Sequence, residues 1–264
     1  MKQLLVAAWR YRNFIVSSIR ADFRARFGRS KLGATWMVLQ PLAQASIFAF
    51  VLSEILSAKL PGIDSRFAYP TYLLAGTLAW TLFADLLGRC INVFVDNANL
   101  LKKIAFPRIA LPAIAVGVAI TNAMLLFVAT SIVLLFIGHP PTWEFLWLIP
   151  VAGLIVAFAV GLGLLLGVLN VFVRDVGQVM SVMLQLWFWL TPVVYMPTIL
   201  SPSRAHILAL NPMSAAVGSF QQVVLYGQRP HLSTLLPLAL ASVILLPLGY
   251  VLFQRAAPEM VDEL

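Results

Sequence analysis

An all-α, polytopic integral membrane protein with six transmembrane helices is the fold class this sequence predicts, and three observations carry it. Of 264 residues, 61% are apolar and only 11% are charged, whereas soluble domains hold about 45–50% and about 25%. Stretches of about 20 mostly apolar residues, the length that crosses hydrocarbon, recur six times. The basic residues fall mainly in alternate connections between those stretches. A water-soluble fold and intrinsic disorder are both excluded by such a composition. A single cysteine, Cys90, excludes an intrachain disulfide framework and a Cys-based zinc site.

The apolar stretches run near Trp36–Leu56, Ala68–Leu87, Ala113–Ile137, Phe145–Phe172, Val179–Tyr195 and Leu232–Phe253. The third and fourth exceed the length a span needs, which implies tilt or a bend; Pro150 with Gly153, Gly161, Gly163 and Gly167 suits the latter. Cytoplasmic segments of membrane proteins carry an excess of Lys and Arg. With the N-terminus inside, the inner segments hold every basic residue up to Lys31, then Arg89, Lys102, Lys103 and Arg108, then Arg174, then Arg255. Only Lys59, Arg66, Arg204 and Arg229 fall outside, so both termini are expected in the cytoplasm. The same bias explains the net charge of +8. Cations spread over one membrane side do not make the basic groove of a nucleic-acid binder, so nucleic acid is not an expected partner. No cleaved signal peptide is expected, because the first apolar stretch begins beyond residue 35.

Residues 1–30 are too charged to span. On a helix, Leu4, Leu5, Ala8, Trp9, Tyr11, Ile15, Val16, Ile19 and Phe23 share one face, and Lys2, Arg10, Asn13, Ser17, Arg20 and Arg24 take the other. This pattern predicts an amphipathic interfacial helix, apolar face toward lipid and cations toward anionic headgroups. The remainder, residues 31–264, is the spanning domain.

Residues 88–112 form the first inner loop. Asp96 or Asn97 suits the N-cap of a short helix there, and Pro107 suits its end. Such a helix would present Asn97, Leu100, Leu101, Ile104 and Phe106 beside Lys102, Lys103 and Arg108. Two readings fit these residues: apolar anchors with a basic rim that dock on a partner, or a topogenic loop resting on headgroups. The next inner connection is very short and carries Arg174 and Asp175.

Three stretches together resemble the membrane (permease) subunit of type-2 ABC exporters of the polysaccharide and polyol-phosphate export family. They are Gly28-Arg29-Ser30-Lys31-Leu32-Gly33-Ala34-Thr35-Trp36 running to Gln40-Pro41-Leu42; Phe106-Pro107-Arg108; and Val173-Arg174-Asp175-Val176 followed by Leu190-Thr191-Pro192-Val193-Val194-Tyr195 and Leu210-Asn211-Pro212. One departure is Phe220-Gln221-Gln222, where the family pattern leads us to expect an arginine after the aromatic. The resemblance implies a homodimer working with two copies of a separate ATPase subunit, which would carry the ATP and Mg; this chain would hold no cofactor and no metal. It implies that Asn97–Phe106 is a coupling helix, that Arg174 and Asp175 form a second coupling point, and that residues 196–231 form an outer gate. It further implies a lipid-linked glycan of the O-antigen, capsule or teichoic-acid class as substrate, and a bacterial cytoplasmic (inner) membrane as location. Independently, the sequence contains no G-x-x-x-x-G-K-[ST] motif, so ATP hydrolysis must come from another chain.

Polar residues within spans usually face a bundle interior or cavity. Trp36, Gln40, Gln44 and Glu54 share one face of the first span, and Gln178, Ser181, Gln185, Phe188 and Trp189 share one face of the fifth, with Tyr195 just beyond. Amides that bond hydroxyls, beside aromatic faces that pack on sugar rings, suit a glycan translocation path. Glutamines that bond between helices, with Trp36 and Trp189 as interfacial belt residues, are the alternative. Asp85 and Arg89 form an i, i+4 pair in the favourable order, and Gly163 and Gly167 permit close approach of two helices within one subunit. Met213–Tyr226 is apolar yet too short to cross, as a re-entrant segment would be. Other functions consistent with parts of this pattern are a drug or antibiotic exporter of the same superfamily and a membrane-embedded transferase. The latter needs a cluster of acids or nucleophiles at a span end, and the acids here are scattered.

Overall fold

A computed structural model describes residues 11–27, 67–103, 110–197 and 210–263, with the single positions 35, 36, 39, 42, 43, 47, 201 and 208. The expected first span, Trp36–Leu56, therefore lies mostly outside the described residues, as do residues 1–10. All regular structure among the described residues is helical: α1 (Arg12–Phe27), α2 (Ala68–Asp96), α3 (Ala98–Lys103), α4 (Ala110–Ile137), α5 (Leu148–Phe172), α6 (Asp175–Leu190), α7 (Pro212–Tyr226), α8 (Leu236–Ala256) and α9 (Glu259–Glu263). Short 3₁₀ turns at Trp143–Trp147 and Leu232–Leu235 lead into α5 and α8. Four segments among the described residues are long and apolar enough to cross a membrane: Ala68–Asp96, Ala110–Ile137, Trp143–Phe172 and Leu232–Ala256.

Turn chemistry accounts for several helix ends. Gly138 takes a left-handed φ of 86° after α4. The amides of Gly138 and His139 then reach back to the carbonyls of Leu135 and Leu134, the paired closure that a glycine after a helix permits. Thr191 is extended (φ −107°, ψ 135°) because it precedes Pro192. That stops α6 at Leu190, short of the Tyr195 end expected from hydropathy. Asn211 accepts the Met213 amide at 3.0 Å and Pro212 opens α7, whose far end is closed by Gly227 at φ 59°. α2, conversely, carries on through Asp96, so Gly88–Asp96 is helix rather than loop.

α2 is the centre of the bundle and packs most extensively on α5, then on α7 and α4. Phe83 of α2 stacks on Phe158 of α5 with centroids 5.6 Å apart, and Trp187 of α6 meets both edge-on. Nearer the other end, a Cβ at Gly163 or Gly167 would collide with Cys90 of α2. The expected small-residue pair thus serves packing within one chain. A second seam joins α5 to α8: a Cβ at Gly161 would strike the backbone of Leu245 and Leu246, and one at Gly249 the Gly161 carbonyl. Phe94 stacks on Phe253 at 5.2 Å. α1 lies against α4, with Ile19 set over Gly117. These contacts put α1, α3, the α5–α6 turn and α9 at one end of the bundle, and the α4–α5 turn with residues 191–197 and α7 at the other.

Size, rather than helix propensity, decides these seams. Gly161→Leu is expected to cost about 1–3 kcal/mol through overpacking. Gly218→Ala, where a Cβ meets nothing within 4 Å, is expected to gain up to about 1 kcal/mol. Thermal unfolding of the two purified variants in one detergent checks both signs.

Candidate functional site

At the first end, the Asn97 carbonyl accepts the Leu100 and Leu101 amides at 3.0 and 3.1 Å, starting α3. The Asn97 side chain does not cap it; its Nδ2 donates back to the Val93 carbonyl of α2 at 2.8 Å. Leu101 is buried, while Asn99, Leu100 and Lys102 are exposed. α3 is described as far as Lys103; Ile104, Phe106 and Arg108 lie outside the described residues. Arg174 and Asp175 are both exposed.

Two features of this end were missed by sequence reasoning. Asn170, 3% exposed, donates to the Ile91 carbonyl at 3.1 Å and to Asn92 Oδ1 at 3.3 Å, and its own oxygen accepts the Gly177 amide at 2.8 Å. The turn carrying Arg174 and Asp175 is therefore tied to α2, which continues into α3. A buried amide bonded between helices is costly to leave unpaired, and a lone Asn at the edge of an apolar span was the available signal. The other feature is α9, which packs on α3 and α5 through the buried Met260. An isolated methionine in an acidic tail gave no hint of it.

Behind these elements lies a charged group. Arg89 Nε donates to Asp85 Oδ1 at 2.8 Å, Arg89 Nη1 stands 4.0 Å from Asp22 of α1, and Asn122 of α4 donates to Asp85 Oδ2 at 2.8 Å. The expected Asp85–Arg89 pair is present and joins three helices. α1 is thus held by protein contacts on its Ile19 and Asp22 side, while Arg12, Arg20 and Arg24 remain exposed.

At the opposite end, the chain between Thr191 and Tyr195 is not helical, and its carbonyls are met by side chains. Gln221 Nε2 donates to the Pro192 carbonyl at 3.0 Å; the Tyr72 hydroxyl donates to Pro192 and Tyr195, and the Tyr69 hydroxyl to Val194. Asn211 donates to the Leu190 carbonyl and Thr191 Oγ1 and accepts the Trp187 indole N–H at 2.9 Å. Gln221 is 4% exposed. Where an arginine was expected, an uncharged donor clamps the break, and α7 packs on α2 as a buried helix.

The expected translocation residues divide. Gln178, Ser181, Gln185 and Trp189 are exposed along α6, which buries none of its residues fully. Ser181 donates to the Gln178 carbonyl of its own helix. Phe188 turns partly inward, edge-on to Trp80 at 5.6 Å, and Tyr195 is half-buried. Trp36 is 51% exposed; Gln40, Gln44 and Glu54 lie outside the described residues, so the pairing of the first span with the fifth is not described either. Among the described residues no cluster of three or more His, Cys, Asp or Glu could hold a metal.

Long apolar helices, with a short exposed helix at one end and a pinned non-helical break at the other, define a multi-pass helical membrane subunit. The chain belongs to the ABC-2 type transporter family, whose profile matches residues 14–225. Over its whole length it is 29% identical to the O-antigen export system permease protein RfbA of Myxococcus xanthus, covering all of both chains. It is 26% identical to the protein of that name from Klebsiella pneumoniae over 81% of each chain. It is 22% identical to the polysialic acid transport protein KpsM of Escherichia coli over 91% of this chain and 92% of that one. The chain is accordingly a transporter permease of the inner membrane.

The break after α6 depends on its side-chain donors. Gln221→Leu with Tyr72→Phe leaves the Pro192 carbonyl without them, at about 1–3 kcal/mol for a buried unmet group. Faster amide exchange of residues 193–196, with exchange in α5 unchanged, is the expected readout.

Proposed function

We propose that this chain is the membrane-spanning subunit of an ATP-driven exporter that moves a lipid-linked polysaccharide of the O-antigen or capsule class across the cytoplasmic membrane. The observation that carries the reading is similarity along the full chain to a protein named as an O-antigen export permease. A drug exporter of the same superfamily is the second reading; the polysaccharide relatives weigh against it.

In this scheme two copies of the chain pair with two copies of a separate ATPase subunit, and the termini and α3 face the cytoplasm. Leu100 and Lys102, with Ile104, Phe106 and Arg108 next along the chain, engage the ATPase; Arg174 and Asp175 form a second contact. ATP and Mg reside on that partner. α2 leads directly into α3 and extends for 29 residues, about 43 Å at 1.5 Å per residue. A displacement of α3 therefore reaches Tyr69 and Tyr72, the donors that hold the outer break. The Asn170 bonds make the Arg174–Asp175 turn move with α2 instead of independently. Gln178, Ser181, Gln185 and Trp189 offer the glycan amide donors and an aromatic face, and Gln40 and Gln44 of the first span serve the same path.

Co-purification with candidate ATPase subunits, assayed for turnover stimulated by lipid-linked glycan, tests the reading; no association with any ATPase would remove it. Leu100→Asp with Lys102→Glu, both exposed, is expected to lower ATPase co-purification at least tenfold, about 1.4 kcal/mol, without a change in thermal stability. Gln44→Leu with Gln185→Leu is expected to slow glycan export severalfold with ATPase docking intact. Unchanged surface glycan in that double variant would sink the path assignment.

A further inference from the structure

α4 and α5 are consecutive helices that touch each other sparingly, each packing instead on α2. Between them lies a cavity of about 1040 Å³, lined by Leu82, Met124, Phe127, Phe145, Gly153 and Val156 among others, with almost no polar surface. The Ser131 hydroxyl in its wall is already bonded to the Phe127 carbonyl at 2.8 Å. Gly153 is unlike the other glycines of α5. A Cβ at Gly161, Gly163 or Gly167 collides with a neighbouring helix, whereas one at Gly153 meets nothing within 4 Å. Its missing side chain widens the space instead of closing a seam.

The mouth has the opposite chemistry. Thr142 and Trp143 stand there, the latter 87% exposed, and tryptophan favours the headgroup level. The adjacent Glu144 pairs with Arg229 at 3.4 Å, and the Arg229 side chain remains 72% exposed. From the turn, the cavity reaches down to Ile120 on α4, roughly 25 Å along that helix, against about 30 Å for the whole hydrocarbon layer.

We propose that this cleft is a binding site for the acyl chains of a glycerophospholipid from the leaflet at the α4–α5 turn, with its phosphate beside Arg229. Water is a poor occupant because the walls offer it no partners. A transmembrane helix about 10 Å across and 25 Å long occupies about 2000 Å³, so it would stand largely outside a cleft of about 1040 Å³. Acyl chains fit the volume, uncharged walls match their chemistry, Trp143 stands at the headgroup level, and Arg229, whose Nε meets Glu144, keeps its other guanidinium N–H groups for a phosphate. The lipid completes the packing of α4, which is little buried by protein.

The test is native mass spectrometry of the full-length protein released from nanodiscs of dioleoyl-phosphatidylglycerol or dioleoyl-phosphatidylcholine. The wild type is expected to retain at least one lipid per protomer after detergent exchange. Gly153→Phe and Met124→Trp, from opposite walls, are each expected to cut retention at least fivefold. Val243→Trp, at an exposed position of α8, is expected to leave it unchanged. Arg229→Gln is expected to lower retention of phosphatidylglycerol relative to phosphatidylcholine at least threefold, and an unchanged ratio overturns the headgroup assignment. Monodisperse elution certifies each variant, and either wall variant suffices alone. Equal retention in wild type and wall variants overturns the proposal. So does cross-linking of Met124→Cys to residues 31–66 or to a second copy, which would put a helix in the cleft.

Discussion

Cys90 of α2 lies so near Gly163 and Gly167 of α5 that neither glycine has room for a methyl group. That closeness brings the Asn92 side chain within reach of Asn170 and lets Phe83, Phe158 and Trp187 form one aromatic cluster. With α5 fixed against it, α2 becomes the element to which both polar ends of the protein are referred. Small residues where helices meet are what a membrane bundle needs, because lipid tails offer no hydrophobic penalty to drive association and van der Waals contact must do so.

The second constraint is that backbone groups away from water must be met within the protein. Pro192 ends α6 and leaves carbonyls from Leu190 to Tyr195 without helical partners. Asn211, Gln221, Tyr69 and Tyr72 supply the donors. An arginine in place of Gln221 would bring a charge into a nearly closed site lacking a described counter-ion, where desolvation is expensive. Glutamine supplies the donor without that cost, so the departure from the family pattern is consistent with a structural role.

Charges follow the same logic at the other end. Arg89 stands between Asp85 and Asp22, and Asn122 completes the set. Because half-buried carboxylates are held by one guanidinium, the position of α1 is coupled to α2 and α4. α1, expected from its amphipathic pattern to lie on lipid, packs on α4, with Arg12, Arg20 and Arg24 exposed.

Hydropathy and charge bias by themselves determined the class of protein, most span positions and the common end shared by α1, α3 and the α5–α6 turn, because these depend on local composition and period. Hydropathy carried the fifth span on to Tyr195, past the Pro192 that ends α6 at Leu190, because an apolar count does not register the backbone geometry that Pro192, Asn211 and Pro212 impose. Only the tertiary structure decided which polar residues are structural and which are offered outward. Asn170 and Gln221 look no different in sequence from Gln178 or Gln185, yet the first two are closed off by α2 and the latter two are exposed on α6. Burial and pairing of a side chain depend on helices distant in sequence, here separated by 78 residues for Asn92 and Asn170, and no local pattern carries that information.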